Sequence, residues 1–197
     1  TAAMKQIAKS GKKILFVATK KQAKGIVAET AAALNMPFIT ERWPGGLLTN
    51  FATIRKSIKK MQTIDKMKEN GTFDSLWKRE RLQIDRQRAK LDLNLGSIVK
   101  MTRMPEAVFI VDTGKENIAL AEANKLGIRS FAMNDTNTNP NLVSFPIPSN
   151  DDASKSIQCI MSIVKTAIAE GLEERGVDQE AKAVEKKEKA KKITEEK

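Results

Sequence analysis

The 197-residue chain contains no histidine and a single cysteine. Without imidazole, neither a Ser-His-Asp nor a Cys-His constellation can be assembled from the residues present, and zinc would lack both a nitrogen ligand and a second thiol. An enzyme made of this chain would have to work with carboxylates, lysines and hydroxyls. No paired catalytic carboxylates stand out, so no catalytic residue, metal ligand or cofactor is expected. Cys159 cannot form an intrachain disulfide, which fits a reducing, cytoplasmic setting. It lies inside "KSIQCIMSIV", where it reads as a buried structural thiol. No apolar run approaches the ~18 residues of a membrane span, and the start lacks the apolar core of a signal peptide.

What the chain has in excess is positive charge, at one place. The net charge is +11. Residues 1–41 carry +5 and residues 104–197 carry −3, whereas residues 42–103 hold fifteen Lys/Arg against six Asp/Glu, or +9. A local excess of this kind is the usual electrostatic footprint of a polyanion partner.

The remainder alternates between strand-like and helix-like stretches. "KKILFVA" (12–18) is an apolar run of strand length, followed by a helical pattern through Ala23, Ile26, Val27, Ala31 and Leu34, with Thr19 as its expected N-cap. "MPFIT" (36–40) is a second strand, completing a strand–helix–strand unit that predicts parallel pairing. The alternation returns with "PEAVFIVD", a helix closed by Gly127, "IRSFAMND" and a short extended piece in "NLVSFPIP". A long helix follows, with Ser149 to Asp152 expected to supply its cap and first-turn negative charge, and Ile157, Ile160, Met161, Val164 and Ile168 its buried stripe. The predicted fold is α/β: a doubly wound, mostly parallel sheet with helices on both faces.

Residues 50–99 break the alternation. Phe51, Ile54, Ile58 and Met61 form one seam, and Trp77, Ile84, Leu91 and Ile98 fall seven apart, with "ENGTFDS" between the two runs. This predicts an inserted antiparallel coiled-coil hairpin, its seam interrupted by Arg81 and Arg88. The expected organisation is an α/β domain from 1–49 and 100–176, the arm at 50–99, and a charged tail at 177–197, helical or disordered.

Three stretches carry candidate chemistry. "FIVDTG" resembles the aspartic-protease loop, but it occurs once and runs from a strand into a helix, so Asp112 is expected only to end a parallel strand. The turn at "FVATKKQ" could hold a phosphate, yet no G-x-G-x-x-G or G-x-x-x-x-G-K-[ST] sequence accompanies it. The basic arm is the strongest candidate. Arg55, Lys56, Lys59 and Lys60 cluster on its first helix, and Lys78, Arg79, Arg81, Arg86 and Arg88 on its second. Aromatic residues sit at the corner (Trp43, Phe51) and near the tip (Phe73, Trp77). Such cations neutralise phosphates, and backbone amides at the Gly45-Gly46 turn could approach one closely. With no zinc-finger, helix-turn-helix or RRM signature, recognition of a folded RNA's shape is expected rather than base reading. A nucleotide-binding domain with a coiled-coil arm is the alternative, and a coiled-coil adaptor a third reading.

These residues also resemble a known family. "ERWPGGLLTNFATIRKSIKKM", "RLQIDRQRAKLDLNLGSIVKM", "MPEAVFIVD", "ALAEANKLGI" and "AMNDTNTNPNLVSFPIPSNDDASKSI" are similar, in order, to the bacterial small-subunit ribosomal protein S-two family, over about residues 4–176. The resemblance implies an α/β domain with a protruding hairpin, placed between head and body of the small subunit. It implies small-subunit ribosomal RNA and neighbouring ribosomal proteins as partners, including the large messenger-binding protein S-one, with no membrane or DNA partner. RNA contact carries over to the corner residues Arg42, Trp43, Gly45, Gly46, Thr49 and Asn50, and less directly to the arm's basic residues. Arg42 is the one expected to face RNA, while Trp43 is read equally as packing the arm or stacking on a base. Members of that family begin with a "GVHFGH"-type segment that has no counterpart here, so the sequence is expected to be part of a longer chain.

Overall fold

The computed structural model describes the backbone of residues 1–195 and the side chains of residues 1–178. Five parallel strands form one sheet in the order β2-β1-β3-β4-β5: β1 (Ile14–Val17), β2 (Phe38–Ile39), β3 (Ala107–Val111), β4 (Arg129–Asn134) and β5 (Phe145–Pro148). The helices are α1 (Ala2–Lys9), α2 (Lys21–Ala33), α3 (Phe51–Glu69), α4 (Lys78–Leu95), α5 (Asn117–Lys125) and α6 (Ser154–Glu195). Strands β1 and β3 are buried along their whole length, as strands covered on both faces must be.

The period-two alternation of side chains sorts the interior into two cores. Ile14, Phe16, Ala107, Phe109 and Val111 face α1, α2 and α6. Leu15, Val17, Val108 and Ile110 face α5, the base of the arm and Trp43. Sequence order reverses between β1 and β3, which makes the carboxyl ends of these two strands the switch point of the sheet.

Helix α6 uses Ile157, Met161, Val164 and Ile168 as its buried stripe, with Ile160 partly buried beside it. Cys159 is exposed, contrary to expectation. Two positions beyond Ile157 is about 200° around a helix, so the thiol points away from the core. Near its middle, α6 crosses α1 closely. A Cβ at Gly171 would lie 2.4 Å from the Lys5 carbonyl oxygen, so only glycine permits this approach. Lys5 bridges Glu170 and Glu174 at 2.9 Å each and fastens the same crossing. Helix α6 is continuous into the charged tail, whose side chains from residue 179 on lie outside the described residues.

Two expected caps are replaced by longer-range bonds. Lys20, not Thr19, occupies the N-cap of α2, because the Thr19 hydroxyl donates to Glu116 across the switch point. Helix α6 begins only at Ser154, and Asn150 accepts from the amides of Asp152 (2.8 Å) and Ala153 (2.9 Å) ahead of it. Asp151 turns instead into the protein.

Helices α3 and α4 run antiparallel. Lys68 pairs with Asp85 at 2.5 Å, and Arg88 with Asp65 at 2.9 Å, so residue numbers across the pair rise on one helix as they fall on the other. The α3 seam is buried at Ile58, Met61 and Ile64. The heptad seam of α4 is not: Ile84 and Leu91 are half-buried and Trp77 is exposed. Only near the arm's base, at Leu95 and Ile98, does that side of the hairpin join the core.

Candidate nucleic-acid interface

The corner between β2 and α3 is built around one carboxylate that the sequence did not single out. Glu122, on α5, accepts from Trp43 Nε1 (3.0 Å), from the amides of Gly46 (2.7 Å), Leu48 (2.9 Å) and Thr49 (3.1 Å), and from the Thr49 hydroxyl (3.2 Å). Burial alone pushes this carboxyl up. The hydrogen bonds of Trp43, Thr49, Gly46 and Leu48 outweigh burial and hold it below its ordinary value of 4.5. Glu122 shares the inward side of α5 with Ala119, Leu120 and Ala123. An acidic residue on such a face must find donors, and that was the available signal.

This arrangement explains the Trp-Pro-Gly-Gly knot. Trp43 is only 7 % exposed and packs in the second core, so its ring is not presented for stacking on a base. Gly46 adopts φ +84°, where a side chain would be strained, and this lets its amide turn toward Glu122. The amides of Gly46, Leu48 and Thr49 are therefore directed inward and are not offered to a phosphate. Gly45 borders open space. Exposed at the corner are Arg42, Gly45, Thr49 and Asn50, and the Asn50 side chain makes no cap bond to α3.

The arm's cations divide in the same way. Arg55 is half-buried and donates to the carbonyls of Val99 and Met101, both at 3.3 Å, clamping the arm's base. Arg88 bridges Asp65 and Asp92 (3.1 Å), and Arg81 lies 3.8 Å from Asp74. Lys56, Lys59 and Lys60 are exposed on the face of α3 away from Ile58, Met61 and Ile64. Arg79 and Arg86 are exposed on α4 and make no ion pair among the described residues. Between the corner, the base of the arm and the switch point opens a cavity of about 790 Å³, lined among others by Arg42, Trp43, Ile54, Leu91, Lys115 and Glu116.

A second polar cluster lies at the carboxyl ends of β3 and β4. Lys20 contacts Asp112 (3.0 Å), Asp151 (2.7 Å) and Asp152 (2.7 Å). Burial by itself lowers the ammonium's pKa; the hydrogen bonds of Asp151, Asp152 and Asp112 outweigh it and hold Lys20 above its ordinary value. Asp112 is buried with φ +69°, and its carboxylate also accepts from the Lys115 amide at 3.1 Å. It ends a strand and, with Asp151 and Asp152, neutralises a shared lysine. Carboxylate oxygens of Asp135, Asp151 and Asp152 lie within 4.8 Å of one another, a spacing a cation could use.

Fold and surface together define a class: a doubly wound α/β domain carrying a helical hairpin whose exposed charged side chains are mainly cationic. The family model described as Ribosomal protein S2 matches residues 1–171. The small ribosomal subunit protein uS2 of Flavobacterium johnsoniae is 63% identical over 183 residues, covering 93% of this chain and 72% of that relative. That of Phocaeicola vulgatus is 64% identical over 182 residues, covering 91% and 65%. That of Flavobacterium psychrophilum is 65% identical over 179 residues, covering 91% and 67%. The chain belongs to the ribosomal protein S2 family, and the matched stretch spans about two-thirds of the length of these relatives.

Proposed function

We propose that this chain is a structural constituent of the small ribosomal subunit in the cytoplasm. In this reading it binds ribosomal RNA through the outward residues of the corner and arm, contacts neighbouring ribosomal proteins, and helps to anchor the messenger-binding protein S-one. The α/β domain at 1–49 and 100–176 positions the arm at 50–99. The observation that carries the reading is the division of labour around Glu122. Trp43, Gly46 and part of Thr49 fix the corner from within, leaving Arg42, Gly45 and Asn50 exposed, as Lys56, Lys59 and Lys60 are on the helix that follows. Arg42 is the RNA-facing member of the corner, because a guanidinium matches phosphate geometry and this one is exposed. Arg55, Arg81 and Arg88 serve the arm's own architecture first, whereas Arg79 and Arg86 face outward.

The nucleotide-binding alternative has a specific argument against it. At the switch point a bound phosphate would take the N-terminal end of α5. Glu116 occupies that N-cap, is buried, and accepts from the Thr19 amide at 3.1 Å. A carboxylate there repels the ligand such a fold would hold.

The test is binding of small-subunit ribosomal RNA across a salt series. Arg42→Glu, and the joint reversal of Lys56, Lys59 and Lys60 to glutamate, should each weaken binding. Each should also flatten the salt slope, by roughly one unit for every phosphate no longer neutralised. Thermal stability should stay within about 0.5 kcal/mol, since all four side chains are exposed. Parallel losses of stability and binding would sink the assignment of these residues to RNA. A rise in melting temperature with ATP or GTP would favour the nucleotide reading instead.

A further inference from the structure

Trp77 is 81 % exposed, more than any other large apolar side chain of the described residues. Its indole N–H has no hydrogen bond among those residues. The chain's other tryptophan, Trp43, is buried and donates to Glu122. Exposure of Trp77 does not come from a loose tip. The Phe73 amide bonds to the Met67 carbonyl (3.1 Å), that of Asp74 to Gly71 (3.1 Å), and that of Leu76 to Phe73 (3.3 Å), while the Ser75 hydroxyl donates to Thr72 (2.7 Å). Trp77 itself is the N-cap of α4, and its amide is held by Glu80 at 3.4 Å. The backbone that carries it is held, and the indole itself stands in water at the end of a two-helix arm, with little among the described residues to cover it.

The neighbouring charges point to the occupant. Lys78 and Arg79 follow directly, are exposed, and have no ion pair among the described residues. Arg81 is only loosely matched, at 3.8 Å from Asp74. Phe73, on the other side of the turn, already lies under Lys68 at 5.1 Å from its ring centroid, so the tip combines aromatic faces with cations. The arm as a whole, residues 50–99, holds twelve Lys/Arg against six Asp/Glu. An exposed aromatic face beside cations without an ion pair among the described residues suits an unpaired nucleotide, whose base stacks while its phosphates meet the cations.

We propose that the arm's tip is a base-stacking platform, on which Trp77 receives an unpaired nucleobase of RNA while Lys78 and Arg79 contact the flanking phosphates. This rests on the reading of the arm as RNA-binding and adds to it the chemical feature recognised: a single-stranded or bulged nucleotide rather than a duplex.

The test uses the full chain, with Trp77→Ala, Trp77→Phe and the reversal of Lys56, Lys59 and Lys60 to glutamate. Subtracting the emission of Trp77→Phe from that of the unaltered chain isolates Trp77. A short single-stranded RNA should quench that emission, and a blunt RNA duplex should not. Trp77→Ala should bind small-subunit ribosomal RNA roughly 5- to 100-fold more weakly with an unchanged salt slope, because the substitution removes stacking and leaves every phosphate neutralised as before. Trp77→Phe should retain part of the affinity. Melting temperatures should not move, given the exposure of the side chain. Unaltered binding by Trp77→Ala without quenching, while the lysine reversal still weakens binding, overturns the platform and leaves the RNA-binding arm standing. Absence of any effect in both variants overturns both. Quenching by a preparation of small-subunit ribosomal proteins, but not by RNA, overturns the proposal in favour of a protein contact.

Discussion

Replacing Glu122 with alanine is expected to destabilise the protein by about 3–5 kcal/mol, with the corner as the part that comes loose. The carboxylate satisfies the indole N–H of Trp43 and the amides of Gly46, Leu48 and Thr49, and Leu48 and Trp43 are buried. Each buried donor left without an acceptor costs roughly 1–3 kcal/mol, and hydrogen bonds to a charged acceptor lie at the upper end. For a chain of this size the loss corresponds to a fall in melting temperature on the order of 10 °C. Glu122→Gln tests the charge separately. The amide keeps the volume, but its own N–H groups meet the donors that the carboxylate served, so most of the loss should remain. The pH dependence follows from the depressed pKa. Stabilisation by Glu122 is complete above the ordinary carboxyl value of 4.5 and is lost as pH falls through the lower folded value. The unaltered protein should therefore lose stability on acidification more steeply than Glu122→Gln. Identical acid limbs, or a Glu122→Ala protein as stable as the original, would remove the carboxylate from its central place in the corner.

The second large effect is expected at Lys20. Its ammonium lies against Asp112, Asp151 and Asp152, and Asp112 and Asp151 are almost wholly buried. One oxygen of Asp151 already lacks a partner among the described residues. Lys20→Met keeps the aliphatic stem and removes the charge, leaving buried carboxylates facing one another. Breaking a buried pair by deleting one partner typically costs about 3–5 kcal/mol. With lysine present, the raised ammonium pKa means that the contribution is complete below Lys20's ordinary value of 10.5 and is lost only as pH rises through the folded one. Thermal melts of both proteins at pH 7 check the loss; a Lys20→Met protein as stable as the original would speak against the buried pair as its cause.

Most of the α/β framework is readable from the residues because its signals are local. Continuous apolar runs such as "ILFV" and "AVFIV" can be buried only on both faces, and the helices between them repeat at helical spacing. Of the expected coiled-coil seams only the α3 one is matched, through Ile58 and Met61, while the heptad positions of α4 stay half-buried or exposed. What local pattern cannot supply are bonds between distant segments. Thr19 has the chemistry of a cap, and only the fold brings Glu116 to its hydroxyl. Asp151 looks like first-turn charge for α6, yet Lys20 draws it inward. Cys159 misleads because an apolar neighbourhood in sequence does not say which side of a helix is inside. The candidate interface is legible as a region and not residue by residue. Composition marks residues 42–103 as basic, but Arg55 clamps carbonyls at the base of the arm, Trp43 is core, and Arg88 reaches across to Asp65, roles set by partners 23 to 79 positions away. Glu122 is easily passed over because a glutamate in "ALAEANK" looks like ordinary helix surface until the amides it gathers are in view.

The most direct test of the ribosomal reading is cosedimentation of the full chain with small subunits that lack it, in a salt series. Saturation near one copy per subunit is predicted, with retention at moderate salt and release when Arg42, Lys56, Lys59 and Lys60 are reversed to glutamate. Binding that exceeds one copy, never saturates and disappears with a modest rise in salt would contradict the reading, leaving only the adhesion of a basic chain to RNA.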